Sequence, residues 1–383
     1  MSPPLRVAVL ADPVVQHLGG HAAGRGDGQA STWLPHLVEA LMTRDDLELT
    51  WISLRRKRRR PEEFRIGRHV FLELPQPAVT HDVLVGYLQS RFRLIKAIRR
   101  INPDVVHAWG TERPYPSVLG AVSQPTLLSL NGVLGKLARS GALPDGWRWK
   151  MQARLEKKWL STASIISAES VWACNAVLLD HPHLQTRELV YGVHPSFYDI
   201  QWNPDPSQPV IFFAGTICTG KGLRPLVEAF ARCSKRGWIC RIAGDGPLRA
   251  ELEKLHVPGI EWLGLLDWKN LQQQLSTAWC LVLPTLADSQ PNVVKEARVV
   301  GLPVITTRHG GQAEYLRHGE NATILTEPTV EALADAITNL LEKDLASVRL
   351  AGAIGHAEDR ERFRVEKTAR EFAALYHQLA NST

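Results

Sequence analysis

Short apolar runs alternate with segments of helical periodicity along most of the chain, which predicts parallel sheets built from α/β units. The strands expected first are Leu5–Ala11, Thr50–Leu54, Val70–Leu74, Asp104–Trp109, Thr126–Leu130, Ser164–Ser167 and Glu188–Tyr191. Helices are expected over about Ser31–Met42 and Trp147–Leu160. Pro195–Pro209 holds four prolines and fits neither a helix nor a central strand, so it reads as a linker. A fresh series follows at Val210–Ala214, Trp238–Ala243, Ile260–Leu263, Cys280–Leu283 and Val304–Thr306. From Arg362 to Leu379, Phe363, Phe372, Leu375, Tyr376 and Leu379 recur with roughly helical spacing. The pattern divides the chain into a domain at 1–194, a linker at 195–209, a domain at 210–360 and a terminal helix at 361–383.

Composition changes this picture little. A chain of 383 residues is long for one core and favours two domains. With 44% hydrophobic and 22% charged residues it reads as globular, and no apolar run approaches the ~20 residues of a membrane span. The N-terminus has no signal-peptide pattern, and the five scattered cysteines read as thiols in a reducing cytoplasm. Charge is more informative. Residues 1–200 hold 25 Lys and Arg against 18 Asp and Glu, which leaves 20 against 21 for the rest. The excess peaks at Arg55–Arg60, and a second group (Arg91, Arg93, Lys96, Arg99, Arg100) interleaves with Phe92, Leu94, Ile95 and Ile98 as an amphipathic helix with a basic face. Such runs are either solvated surface or contacts for an anionic partner. No nucleic-acid fold signature accompanies them, so a membrane surface or lipid phosphate is the expected partner, not nucleic acid.

Chemistry concentrates in the second series. Asp288-Ser-Gln-Pro-Asn-Val-Val-Lys-Glu296 follows the apolar run Trp279–Pro284 and leads into Gly301-Leu-Pro-Val-Ile305 and Gly310-Gly-Gln-Ala-Glu314. An acid on a strand-to-helix loop can accept from sugar hydroxyls, and a second acid in the following helix can hold a ribose diol. Phe212-Phe-Ala-Gly215-Thr216-Ile-Cys-Thr-Gly220-Lys221-Gly222 places a lysine at a helix start, where it can neutralise a diphosphate. Ala243-Gly244-Asp-Gly246-Pro247 is a further strand-to-helix turn. In the first series, Asp104-Val-Val-His107-Ala-Trp109 ends a strand, and Gly19, Gly20 and Gly28 belong to a glycine-rich loop that allows close backbone approach. No Asp-x-Asp occurs, and no cluster has metal-ligand spacing.

These ordered motifs resemble those of retaining glycosyltransferases of family 4, with Asp288 at the first acid of their E-x7-E region and Glu296 at the second. The resemblance implies a GT-B fold: two Rossmann-like domains facing across a cleft, with the C-terminal helix crossing back to the N-terminal domain. It implies a nucleoside-diphosphate sugar as co-substrate, no cofactor and no metal. Lys221 would hold phosphate and Glu296 the ribose. Asp288, with Ser289, Gln290, Asn292 and Val293, would hold the sugar, and Gly215, Thr216, Gly244 and Gly246 would line the donor site. The arginine of the family's phosphate motif is replaced by Thr216, which leaves Arg224 as the nearest substitute. His107 would act in catalysis, and the Gly19–Gly28 loop on the acceptor side, where a glycan or lipid-linked acceptor binds at the cytoplasmic face of the membrane. A sugar-nucleotide epimerase of the same fold and a binding protein without transfer activity remain as alternatives; a dehydrogenase lacks Gly-x-Gly-x-x-Gly after Leu5–Ala11.

Overall fold

A computed structural model describes residues 3–12, 34–56, 58–143, 146–233 and 237–382. The chain divides into two compact units. The first comprises Met1–Ala138, Asp145–Gly192 and Val365–Thr383; the second comprises Arg139–Pro144 and Val193–Arg364.

The first unit is built on β1 (Leu5–Leu10), β2 (Leu47–Arg55), β3 (Glu62–Ile66), β4 (His69–Pro75), β5 (Val105–Trp109), β6 (Thr126–Leu130), β7 (Ile165–Ala168) and β8 (Thr186–Glu188). Among the described residues they form one sheet in the order β3-β4-β2-β1-β5-β6-β7-β8, parallel except for the β3–β4 pair. Alternate residues of β1 feed two cores: Val7 and Val9 one face, Ala8 and Leu10 the other. The helix Leu34–Met42 buries Leu34, Leu37, Val38 and Leu41 on the first face, one helical stripe. The terminal helix Val365–Asn381 joins that core through Phe372, Leu375, Tyr376 and Leu379. The opposite face takes Leu94, Ala97 and Ile98 of the helix Leu88–Ile101.

The second unit is built on β9 (Val210–Ala214), β10 (Ile239–Ala243), β11 (Ile260–Gly264), β12 (Cys280–Leu283), β13 (Val304–Thr307) and β14 (Ala322–Leu325). Their order is β11-β10-β9-β12-β13-β14, with every described pairing parallel. This is the doubly wound 3-2-1-4-5-6 arrangement, and its strand order reverses between β9 and β12. In sheets of this order the loops at the carboxyl ends of the two strands flanking the reversal form the usual ligand site.

Several expectations need correction. The 195–209 segment is no free linker. Pro195–Asp199 forms a 3-10 turn, Trp202 Nε1 donates to the Ala278 carbonyl at 2.7 Å, and Trp279 Nε1 donates to the Asp205 carbonyl at 2.8 Å. The prolines exclude helix, but the tryptophans pin the segment to the second unit. The last strand of the first unit sits at 186–188 and not 188–191, while Leu189 and Tyr191 are buried beyond its end. The terminal helical segment breaks at Phe363 into helices His356–Arg362 and Val365–Asn381. β3 gives no apolar signal because it is an exposed edge strand, held by its antiparallel pairing with β4.

Candidate active site

The carboxyl ends of β9 and β12 collect the sequence motifs of the second unit. After β9 the chain runs through Gly215 and the exposed Thr216 into a 3-10 turn, Thr219–Lys221. Gly222 caps that turn at φ +67°, with a Cβ position only 2.0 Å from the Pro284 carbonyl oxygen, so glycine is required there. After β12, Leu286 N donates to the Gly220 carbonyl at 2.9 Å and Thr285 Oγ1 donates to the same oxygen at 3.0 Å. These bonds knit the two loops together and place Lys221 beside Asp288. Lys221 Nζ bonds Asp288 Oδ2 directly, and both side chains are largely shielded from water. The Asp288 backbone is fixed from the far side: its N–H donates to the His309 carbonyl at 3.1 Å, and Gly311 N–H donates to the Asp288 carbonyl at 3.2 Å.

The helix Asn292–Val300 starts from this loop with Pro291 at its N-cap and no side-chain cap. A helix start leaves N–H donors exposed with a positive end of the dipole, which suits an anion. Gln290, almost fully buried, has no partner for its Oε1 among the described residues. Val293 is half-buried at the same helix start. Glu296 lies one turn further in, buried at 8% exposure. Burial pushes its carboxyl up to about 7, against the lowering pull of the adjacent Lys295 charge. A buried carboxyl poised at neutral pH is a functional candidate on physical grounds.

The β10 turn completes the wall. Gly244 adopts φ +131°, and a Cβ there would stand 1.9 Å from the Gly215 carbonyl oxygen. Gly215 N donates to the Ala243 carbonyl at 3.1 Å, and Ile217 N donates to the Asp245 carbonyl at 3.0 Å. The Gly215–Thr216 and Gly244–Gly246 turns are thus one packed layer. Arg224, the expected replacement for the missing arginine, is exposed and paired with Glu251 and Glu228. Its charge is already engaged on the surface, so Lys221 is the cation that the structure brings to Asp288.

His107 does not reach any site surface. It is fully buried, and burial pushes its imidazole down to about 3, so it is neutral. Both ring nitrogens are occupied, Nδ1 by Tyr376 Oη at 2.8 Å and Nε2 by Ser129 Oγ at 2.7 Å. Phe372 stacks on its ring at 5.6 Å between centroids. A solvent-excluded imidazole with both nitrogens bonded can neither contact a substrate nor exchange a proton with one. The catalytic expectation for His107 is corrected to a structural one. Gly19, Gly20 and Gly28 lie outside the described residues.

Sequence reasoning missed two buried cations in the Glu296 helix, of which Arg298 ties the helix in place. Arg298 is fully buried; it pairs with Asp359 at 2.8 Å and donates to the carbonyls of Leu302, Gly352 and Ile354. Lys295 is fully buried next to Glu296. A charged residue in an apolar-periodic helix ordinarily reads as surface, so only its neighbours three-dimensionally reveal the role. Among the described residues, no group of three or more His, Cys, Asp or Glu stands together as a metal-ligand set. No described helix is long and apolar enough to cross a membrane.

Comparison with known proteins agrees with this architecture. Residues 208–343 match the family described as Glycosyl transferases group 1. A lipopolysaccharide core biosynthesis glycosyltransferase, LpsE of Rhizobium meliloti, is 24% identical over 351 residues, covering 85% of this chain and 89% of its own. An exopolysaccharide phosphotransferase of Streptomyces coelicolor, SCO2592, is 32% identical over 166 residues, 40% of this chain and 17% of that protein. The chain thus spans under a fifth of that relative's length. Among solved structures, sucrose-phosphate synthase (tll1590) from Thermosynechococcus elongatus superimposes with a TM-score of 0.78 at 19% identity, covering 99% of this chain and all of its own. The second unit thus carries the match to the group 1 glycosyl transferases, over residues 208–343, and the fold is that of the GT-B enzymes.

Proposed function

We propose that the protein moves a sugar from a nucleoside-diphosphate sugar to a hydroxyl of a glycan or lipid-linked acceptor, with retention at the anomeric carbon, in cell-envelope, exopolysaccharide or glycolipid synthesis. The observation that carries this reading is the Lys221–Asp288 pair beyond the carboxyl ends of β9 and β12, with the buried Glu296 in the helix that follows Asp288. Lys221 and the N–H groups at the start of the Asn292 helix would take the diphosphate, and Glu296 the ribose hydroxyls. Asp288 would exchange its bond to Lys221 for bonds to sugar hydroxyls, helped by Ser289, Gln290 and Asn292. As the glycosidic bond breaks, negative charge grows on the leaving diphosphate, and a fixed cation with helix N–H groups stabilises it without reorganisation. This reading assigns no step to a metal or cofactor. The acceptor would bind through the first unit, whose basic runs at Arg55–Arg60 and Arg91–Arg100 favour attachment at an anionic, cytoplasmic membrane face.

The test is transfer and hydrolysis of a panel of nucleotide sugars, preceded by thermal-shift screening, since a bound donor raises apparent stability. Binding of a donor with release of free nucleoside diphosphate supports transfer. Binding with no turnover on any acceptor or water favours a sugar-nucleotide-binding protein, the reading that Thr216 in place of a phosphate-binding arginine supports.

A further inference from the structure

The helix Leu88–Ile101 turns one side into the core and leaves another bare. Phe92 is 70% exposed and Leu88, one turn earlier, 58%. Leu84, the last residue of the helix Val79–Leu84, is 64% exposed. Large apolar side chains side by side in water mark a contact surface. Beside them an open cavity of about 680 Å³ runs between this helix and β4. Leu72, Leu74, Leu88 and Phe92 form its apolar lining. Arg93, Lys96 and Arg100 stand on its wall, Arg93 donating to the Pro75 carbonyl and Arg100 pairing with Glu63 at 3.1 Å, and Pro61, preceded by the exposed Arg59 and Arg60, closes another side.

The basic run at 55–60 is partly spent within the fold. Arg55 bonds Glu73 at 3.2 Å, and Arg58 bonds Glu73 at 2.7 Å and also pairs with Glu62. Electrostatic attachment through that run alone therefore has less free charge than the sequence suggests. The cavity face combines an apolar interior with cations at the edge, which matches an amphiphile bearing an acyl tail and a phosphate head.

We propose that this face docks on an anionic lipid bilayer, with Leu84, Leu88 and Phe92 entering the interface. The cavity takes one lipid chain, and Arg93, Lys96 and Arg100 meet lipid phosphates. The proposal rests on the membrane reading of the first unit and adds to it the contact surface and an apolar insertion that salt does not screen.

The experiment is co-sedimentation of the full chain with vesicles of phosphatidylcholine alone, or with phosphatidylglycerol at about one part in three. Each is run at about 0.05 M and about 0.5 M NaCl, which shortens the screening length severalfold. The parent should prefer the anionic vesicles and keep part of its binding at high salt. Leu88→Gln with Phe92→Gln should lose the salt-resistant part and weaken low-salt binding by roughly a hundredfold, the effect of withdrawing two large apolar side chains. Lys96→Gln with Arg100→Gln should lose the anionic preference. All four positions are at the surface, so unchanged unfolding temperature and unchanged nucleotide-sugar thermal shift establish that the variants are folded. If Leu88→Gln with Phe92→Gln binds anionic vesicles as the parent does, this face is not the contact, although the membrane reading stands. If parent binding vanishes completely at high salt, attachment is electrostatic alone and the insertion is overturned. If the parent shows no anionic preference at low salt, the membrane reading itself fails, and the apolar face belongs to a protein partner.

Discussion

Glu296→Gln should make the ligand-free protein more stable at neutral and alkaline pH while weakening its hold on the donor. The carboxyl is buried, and its pKa rises from 4.5 to about 7 chiefly through lost hydration. That interval corresponds to about 3 kcal/mol at 1.36 kcal/mol per tenfold change in proton affinity. The figure is a ceiling, because local relaxation and water entry reduce such costs. The sign follows from linkage. Around pH 4 the residue is protonated in the folded chain and largely so in the unfolded chain, so the variant gains nothing there. Above the unfolded value of 4.5 the unfolded chain releases its proton and the folded chain keeps it, so parent stability falls as pH rises. The fall is complete once the folded carboxyl has ionised, above about 7. Gln, of the same shape and always neutral, escapes this cost. Urea unfolding of both proteins between about pH 5 and pH 8 should show a gap that widens with pH and levels off.

The donor should reverse the order. Ribose hydroxyls donate to the ionised carboxylate, so binding should release a proton near pH 7 and tighten as pH rises. Calorimetry with a nucleotide sugar in two buffers of different ionisation enthalpy measures that release. A nucleotide sugar is the right probe because a free terminal phosphate titrates itself near pH 6. Glu296→Gln should abolish the proton release. Stability curves that run parallel at every pH would show that the carboxyl is not desolvated. Equal donor affinity at pH 8 would remove Glu296 from the site.

Lys221→Ala should weaken nucleotide-sugar binding by roughly 1.5–3 kcal/mol, the worth of a hydrogen bond to a charged group, with calorimetry as the measure; undiminished affinity would place the diphosphate elsewhere. Asp288→Asn should lower turnover far more than it lowers affinity for the bare nucleoside diphosphate, which has no sugar to hold; equal losses on both would reduce Asp288 to a partner of Lys221. His107→Ala should cost about 2–4 kcal/mol in unfolding, from a cavity and stranded partners, and leave nucleotide affinity in the second unit unchanged; lost turnover at unchanged stability would restore a chemical role for His107.

The contrast between Glu296 and His107 shows how far local pattern fixes a residue's place. The motifs after β9 and β12 come together because a parallel α/β sheet puts its loops in a fixed place. Once β9 and β12 flank the reversal of strand order, the residues after their carboxyl ends must meet, whatever else the unit contains. Lys221 and Asp288, 67 residues apart, are joined by that rule alone. The same rule puts His107 near a strand end, yet it says nothing about which face the side chain takes. In β5, residues 105 and 109 belong to the core under the terminal helix, and 106 and 108 to the opposite core. His107 shares the face of 105 and 109 by the two-residue period of the strand. Its fate is then settled by Phe372 and Tyr376, the latter 269 residues away. The burial of Arg298 has the same origin, since Asp359 and the carbonyls of Gly352 and Ile354 close over it from more than fifty residues beyond. Local pattern therefore locates what topology forces together. It misplaces a polar residue whenever a distant element supplies the cover, and for His107 that cover is a helix whose own apolar stripe was plain in the sequence but whose docking partner was not.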